Sequence, residues 1–184
     1  MMKLTETDKK ELLKIAREAI EADLKGVEFN TAPSQLGGVI TQEARGAFVT
    51  LHTMSGELRG CIGVFTSEAP LFKVVRDMAV SAATDDPRFS PVTIKELEDV
   101  RIEISALTPL KEITGTGEIE IGRHGIYIIR GNNRGVLLPQ VATEHGFDLT
   151  TFLEETCLKA GLHKDAWKEE AAKIFIFSAE VFSE

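Results

Sequence analysis

Long apolar runs are missing from this chain. No stretch approaches the ~18 consecutive apolar residues that a membrane span needs, although 43% of the 184 residues are hydrophobic and can fill a core. Aromatic residues are scarce at 7%, and the single Trp167 and single Tyr127 offer no stacking platform for bases. Positive charge is also short. The net charge is -8 and the pI about 5.1, with no dense Lys/Arg stripe. Such a chain repels phosphate backbones, so neither nucleic acid nor a membrane is an expected partner. Only two cysteines occur, Cys61 and Cys157, far apart in sequence. Free thiols of a cytosolic protein are the simpler reading, with a disulfide as the alternative. The four histidines (His52, His124, His145, His163) form no His-x-His or His-x3-His pair, and Cys-x2-Cys is absent, so no metal site is expected. There is no P-loop and no Gly-x-Ser-x-Gly. Gly115-Thr116-Gly117 lacks the third glycine and the following helix of a dinucleotide fingerprint. The opening MMKLTETDKK is charged where a secretory signal would be apolar, which points to the cytoplasm.

The residues that are present predict separate helices and hairpins. Thr5 with Asp8 resembles a capping box in which Asp stands in for Glu. Leu12, Leu13, Ala16, Ala19, Ile20 and Leu24 follow at helical spacing, and Gly26 is a natural stop, so a helix is expected over about 6 to 25. Residues 27 to 44, with Pro33, Gly37 and Gly38, read as an irregular arm. Gly46 to His52, a turn at Met54 to Glu57, and Leu58 to Ile62 read as a hairpin. A second helix starts at Ser67 to Pro70 and buries Leu71, Val74, Val75, Met78, Ala79 and Ala82. Asp85 to Pro91 breaks it, Thr93 with Glu96 opens a short helical turn, and Val100 to Leu107 alternates as a strand. Residues 109 to 138 are rich in glycine and β-formers and read as a small β-meander or subdomain, with a turn at Gly131 to Gly135. Asp148 caps a helix over about 149 to 160 that Gly161 ends, and Lys173 to Ala179 reads as a closing strand covered on both faces. The mixture argues α+β rather than regular βαβ alternation.

The chemistry concentrates in Leu58-Arg59-Gly60-Cys61-Ile62-Gly63. On an extended strand, Arg59 and Cys61 share a face at roughly 7 Å. A nearby guanidinium favours the thiolate, the reactive form of cysteine. Gly60 and Gly63 leave room for another backbone or a ligand. A cysteine nucleophile usually has a base partner, often His; His52 on the preceding strand is the nearest candidate. Glu103 and Ser105 share the polar face of their strand, where Glu103 either orients Arg59 or acts as a general base. The plain alternatives are a packed thiol and a solvated sheet face. Asp85 and Asp86 read as residues of a helix-ending turn, and Arg88 as an anion contact or salt-bridge partner. Cys157 reads as a core residue of its helix.

The hexapeptide at 58–63 resembles the hallmark of the AMMECR-one domain family. Gly46 to Leu51, Asp86-Pro87-Arg88-Phe89, Ile102 to Ser105, Gly122 to Ile126, Leu137 to Ala142 (which contains Gln140) and Cys157 to Leu162 also look like family blocks. Ser90 stands where the family pattern has Pro. The resemblance implies an α+β fold: a larger subdomain of mixed or antiparallel sheet with packed helices, built from both chain ends, plus a smaller inserted β-rich one. It implies a site at Arg59, Gly60, Cys61 and Gly63; the expected ligand contacts are Gly60, Gly63, Ser105, Arg88 and Gln140. It also suggests association with a Memo-type protein and a radical SAM protein, and it names no cofactor. Two functional expectations follow. One is an enzyme or enzyme-system component using Cys61, Arg59 and Glu103. The other is a non-catalytic module whose motif surface recognises a partner, peptide or small ligand.

Overall fold

The computed structural model describes residues 3–29 and 42–184. Most of the irregular arm expected at 27 to 44 lies outside the described residues. The chain forms two compact units. The first comprises the described residues up to Leu107 together with Glu180–Glu184, and the second is Thr108–Ala179. The second unit is thus longer than the stretch 109–138 in which the composition changes. It also takes in a capped helix and the next-to-last strand.

In the first unit, α1 (Glu6–Leu24) opens on the expected box. The Thr5 hydroxyl accepts from the Asp8 N–H, and the Asp8 carboxylate accepts from the Thr5 N–H. Gly26, at φ +66°, follows the helix end, where a left-handed residue costs least without a side chain. Thr5→Ala removes one half of the box and is expected to lower stability by about 1 kcal/mol, read in a urea or thermal melt. Strands β1 (Ala47–Thr53) and β2 (Leu58–Val64) form the hairpin, followed by α2 (Leu71–Thr84) and β3 (Val100–Leu107). A final strand, β8 (Ala179–Ser183), completes a sheet of order β2-β1-β3-β8. One sheet face, with Ala47, Val49, Leu51, Ile102, Ile104 and Ala106 fully buried, packs with both helices into a single core. The other face carries Phe48, Thr50, His52, Cys61, Gly63, Glu103 and Ser105, all half-buried. That alternation is the period of two read from β3 in the sequence.

The second unit contains β4 (Lys111–Ile113), β5 (Gly125–Arg130), β6 (Asn133–Leu137), α3 (Pro139–Glu144), α4 (Leu149–Lys159) and β7 (Lys173–Phe177). Its antiparallel sheet has the order β4-β7-β5-β6. Asp148 caps α4 through the Thr151 N–H at 2.8 Å, and Gly161 at φ +71° follows its end. Cys157 is fully buried in the core of this unit, beside Phe152 and Leu153. Ile119 and Ile121 are not in a strand; a short 3-10 turn at Thr116–Glu118 precedes them. The apolar run at 173 to 179 is also not one strand. It breaks at Ser178, and β7 and β8 belong to different sheets.

Candidate functional site

The register of the first sheet sets the site. Cys61 on β2 faces Thr50 on β1, and Thr50 in turn faces Glu103 on β3. The three side chains form one row across the half-buried face. In the next row Gly63 faces Phe48, which faces Ser105. A Cβ on Gly63 would lie 2.3 Å from the Phe48 ring, so the bare glycine lets that ring lie across its neighbour strand. In the row on the other side, His52 faces Arg101, and its Nε2 is 3.9 Å from Glu103 Oε1. The Thr50 hydroxyl donates to the Cys61 sulfur at 3.3 Å.

Arg59 is displaced from the simple two-residue repeat. Leu51 pairs with Gly60 but His52 pairs with Leu58, so Arg59 is the extra residue of a β-bulge. Its guanidinium takes a two-point contact with Glu96, at 2.5 and 3.1 Å, and lies 5.9 Å from the Phe89 ring centroid. The carboxylate on Arg59 is therefore Glu96 of the short helical turn at Glu96–Asp99, and not Glu103 as the shared strand face predicts. Arg59 holds the Glu96 carboxyl below its ordinary pKa. Gly60 points the other way, against α2, where a Cβ would sit 2.2 Å from the Ala82 carbonyl oxygen.

The charged neighbour of Cys61 is Arg88. As the outer strand of its sheet among the described residues, β2 leaves the N–H and C=O of Cys61 without a strand partner there, and the Asp86–Phe89 loop supplies side chains instead. The Cys61 N–H donates to Asp86 Oδ2 at 2.8 Å, and Arg88 Nη2 donates to the Cys61 carbonyl at 3.2 Å. The Asp86 carboxylate also accepts from the Arg88 N–H at 3.1 Å, Nε at 2.9 Å and Nη2 at 2.7 Å. Arg88, then the backbone N–H groups of Cys61 and Arg88, hold the Asp86 carboxyl far below the usual carboxylate range. Asp86 in turn raises the Arg88 pKa, with smaller contributions from the Cys61 side chain. The Asp86 side chain is 2% exposed and that of Arg88 is 53% exposed. Asp85 does end α2, its N–H donating to Ser81 O at 2.8 Å. Asp86 makes the expected local turn to Arg88 and also clamps the strand edge. The spacing Asp-Pro-Arg, with proline fixing the backbone between the two charges, is the signal that carried this role.

Arg59, Gly60, Cys61, Gly63, Arg88, Glu103 and Ser105 all lie in the first unit. Gln140 is exposed on α3 of the second, on neither the strands nor the loop that build this cluster. Among the described residues no group of three or more His, Cys, Asp or Glu is placed to hold a metal ion, and no helix is long and apolar enough to cross a membrane.

These features define an α+β chain whose first sheet presents a thiol on a strand edge clamped by an Asp/Arg loop. The chain belongs to the AMMECR1 family, whose model matches residues 13–182. A protein of Methanothermobacter thermautotrophicus is 43% identical over 187 residues, covering 98% of this chain and 96% of that one. A Methanocaldococcus jannaschii protein is 42% identical over 181 residues, covering 94% and 88%. The crystal structure of an uncharacterized Pyrococcus horikoshii protein matches with a TM-score of 0.77 at 40% identity, covering 95% of this chain and 90% of that chain. The α+β class expected from the residues is thus the fold of a solved relative.

Proposed function

We propose that the first unit carries a thiol-dependent group-transfer site, with Cys61 as nucleophile, His52 as base and Glu103 as the carboxylate that orients His52. The supporting observation is the single half-buried sheet face on which Cys61, Thr50, His52 and Glu103 stand side by side. His52 is a diagonal neighbour of Cys61 across the β1–β2 pair, a Cα separation of about 7–8 Å. In the reaction, His52 takes the thiol proton and the sulfur bonds to an electrophilic carbon. The leaving group departs with its electron pair and receives the proton back from His52. Arg59, Gly60 and Gly63 position the strand. Both thiols are free, and on that ground we place the protein in the cytoplasm.

A second reading, a recognition module, draws on exposed Met54 and Leu58 of the same hairpin, an apolar edge that suits a protein partner. The Memo-type and radical SAM partners suggested by the resemblance fit either reading.

Alkylation by iodoacetamide, followed by mass spectrometry, separates the two. Cys157 is the internal reference, because burial pushes its thiol pKa up. The thiol reading expects Cys61 of the native protein to react at least about tenfold faster than Cys157. It also expects His52→Gln to slow Cys61 by about tenfold or more at neutral pH while leaving Cys157 unchanged. Labelling of Cys61 only on unfolding would sink the thiol reading and leave recognition.

A further inference from the structure

We infer that Arg88 selects the substrate of this site, and that the substrate is an electrophile bearing a single carboxylate beside the carbon that Cys61 attacks; this rests on the thiol reading above. The Arg88 guanidinium is fixed along one edge. Nε and Nη2 donate to Asp86, and Nη2 also donates to the carbonyl of Cys61 itself. A guanidinium held this way loses little rotamer freedom when it binds a ligand. Among the described residues it bonds Asp86 and the Cys61 carbonyl and also meets the Cys61 side chain, and with the side chain 53% exposed its guanidinium stays accessible next to the reacting residue. Arg59 does not offer the same. It is spent on two bonds to Glu96, and its side chain is 12% exposed.

The surrounding charge sets the valence of the ligand. Asp86 already offsets Arg88, and Glu96 offsets Arg59. Glu103 stands two strands from Cys61 in the same row. A dianion such as a phosphate monoester would bring its second charge against these three carboxylates, whereas a monoanion meets less of that repulsion at the open guanidinium edge. The Phe89 ring, 5.5 Å from the Arg88 guanidinium and 5.9 Å from that of Arg59, supplies an apolar wall for the carbon body of such a molecule.

Iodoacetate and iodoacetamide test this. They share one reacting carbon and one leaving group, iodide, and differ in the carboxylate. The quantity read is the ratio of the iodoacetate to the iodoacetamide alkylation rate at Cys61, set against the same ratio for glutathione. Each variant is assayed at a temperature where its melt shows it folded. The wild-type ratio is expected to exceed that of glutathione by about tenfold and to fall in 0.5 M KCl, as screening of a charged contact requires. Arg88→Gln should bring the ratio within about twofold of glutathione, and Arg88→Lys, which keeps the charge, should retain a clearly raised ratio. A wild-type ratio equal to that of glutathione, with Cys61 still reacting with iodoacetamide, overturns the carboxylate assignment and spares the thiol reading. So does a raised ratio that survives Arg88→Gln. If Cys61 is inert to both reagents, the thiol reading falls and this inference falls with it.

Discussion

Gly60→Ala is expected to destabilise the protein by about 3 kcal/mol or more, lowering Tm by roughly 10 °C. The added Cβ would lie 2.2 Å from the Ala82 carbonyl oxygen and 3.2 Å from its carbon. That oxygen belongs to the backbone of α2, so no side-chain rotation relieves the clash. Either α2 lifts from the sheet or β2 shifts outward. A lifted helix opens the core around Ala79, Ala82 and Leu51. A shifted strand breaks the two bonds that tie Cys61 to Asp86 and Arg88. Gly115→Ala is the matched comparison. It sits at φ -150°, with nothing within 4 Å of where the new methyl group would stand, and is expected to change stability by less than about 0.5 kcal/mol. Chemical denaturation of the two variants gives the answer. A Gly60→Ala loss no larger than that of Gly115→Ala would mean that the glycine between Arg59 and Cys61 is not there to admit α2.

Local rules are legible in the sequence because they act within a few residues. The Thr5/Asp8 box, the glycine after each long capped helix, the hairpin, the apolar stripe of α2 and the alternation of β3 all follow from spacings of two, three or four. Three features depend on contacts between distant segments and leave little local trace. The bulge at Arg59 arises from pairing with β1, so a two-residue repeat read along β2 alone puts Arg59 in register with Cys61. The partner of Arg59 is chosen by where the helical turn at 96–99 docks, not by the strand that carries Glu103. The break at Ser178 sends the chain from one sheet to the other within an apolar run, where composition is the same on both sides. Pairing of Thr108 with Ser178, N–H to carbonyl and N–H to hydroxyl at 2.8 Å each, marks that crossing. The short helix α3 leaves a faint pattern because it is only six residues long, with Pro139 as its start signal.

The same reasoning explains why the Cys61 cluster is only half visible in the sequence. A lone thiol with an arginine two residues away is a strand pattern, and the strand pattern names Arg59. The structure hands the role to Arg88, 27 residues on, because an outer strand has unpaired backbone groups that something must satisfy. Asp86 and Arg88 meet that need together, and in doing so place a guanidinium beside the thiol. Whatever the reaction, the thiol and its charged neighbour are built from one solution to one backbone problem.

Asp86 is accordingly the residue whose loss should be felt in stability and in pH dependence together. Its carboxyl is held far below the ordinary carboxylate range, first by Arg88 and then by the Cys61 and Arg88 N–H groups. A depressed folded-state pKa stabilises the fold at every pH above the unfolded value of about 3.9. That contribution disappears as the pH falls below this value toward the folded-state pKa. Glu96, lowered by Arg59, adds to the same acid slope. At pH 7, Asp86→Ala is expected to lower Tm by about 5 °C or more, since it leaves the Cys61 N–H and the Arg88 guanidinium without their acceptor. Asp86→Asn keeps one acceptor oxygen and should fall between Asp86→Ala and the wild type. Below about pH 4 the gap between wild type and either variant should narrow, because the wild type then loses what the variants never had. Thermal melts from pH 7 to pH 2 trace this. A gap that stays constant across the range would show that the Asp86 carboxylate does not hold the edge of β2 as an ion, and that its contacts with Cys61 and Arg88 stabilise the loop by shape alone.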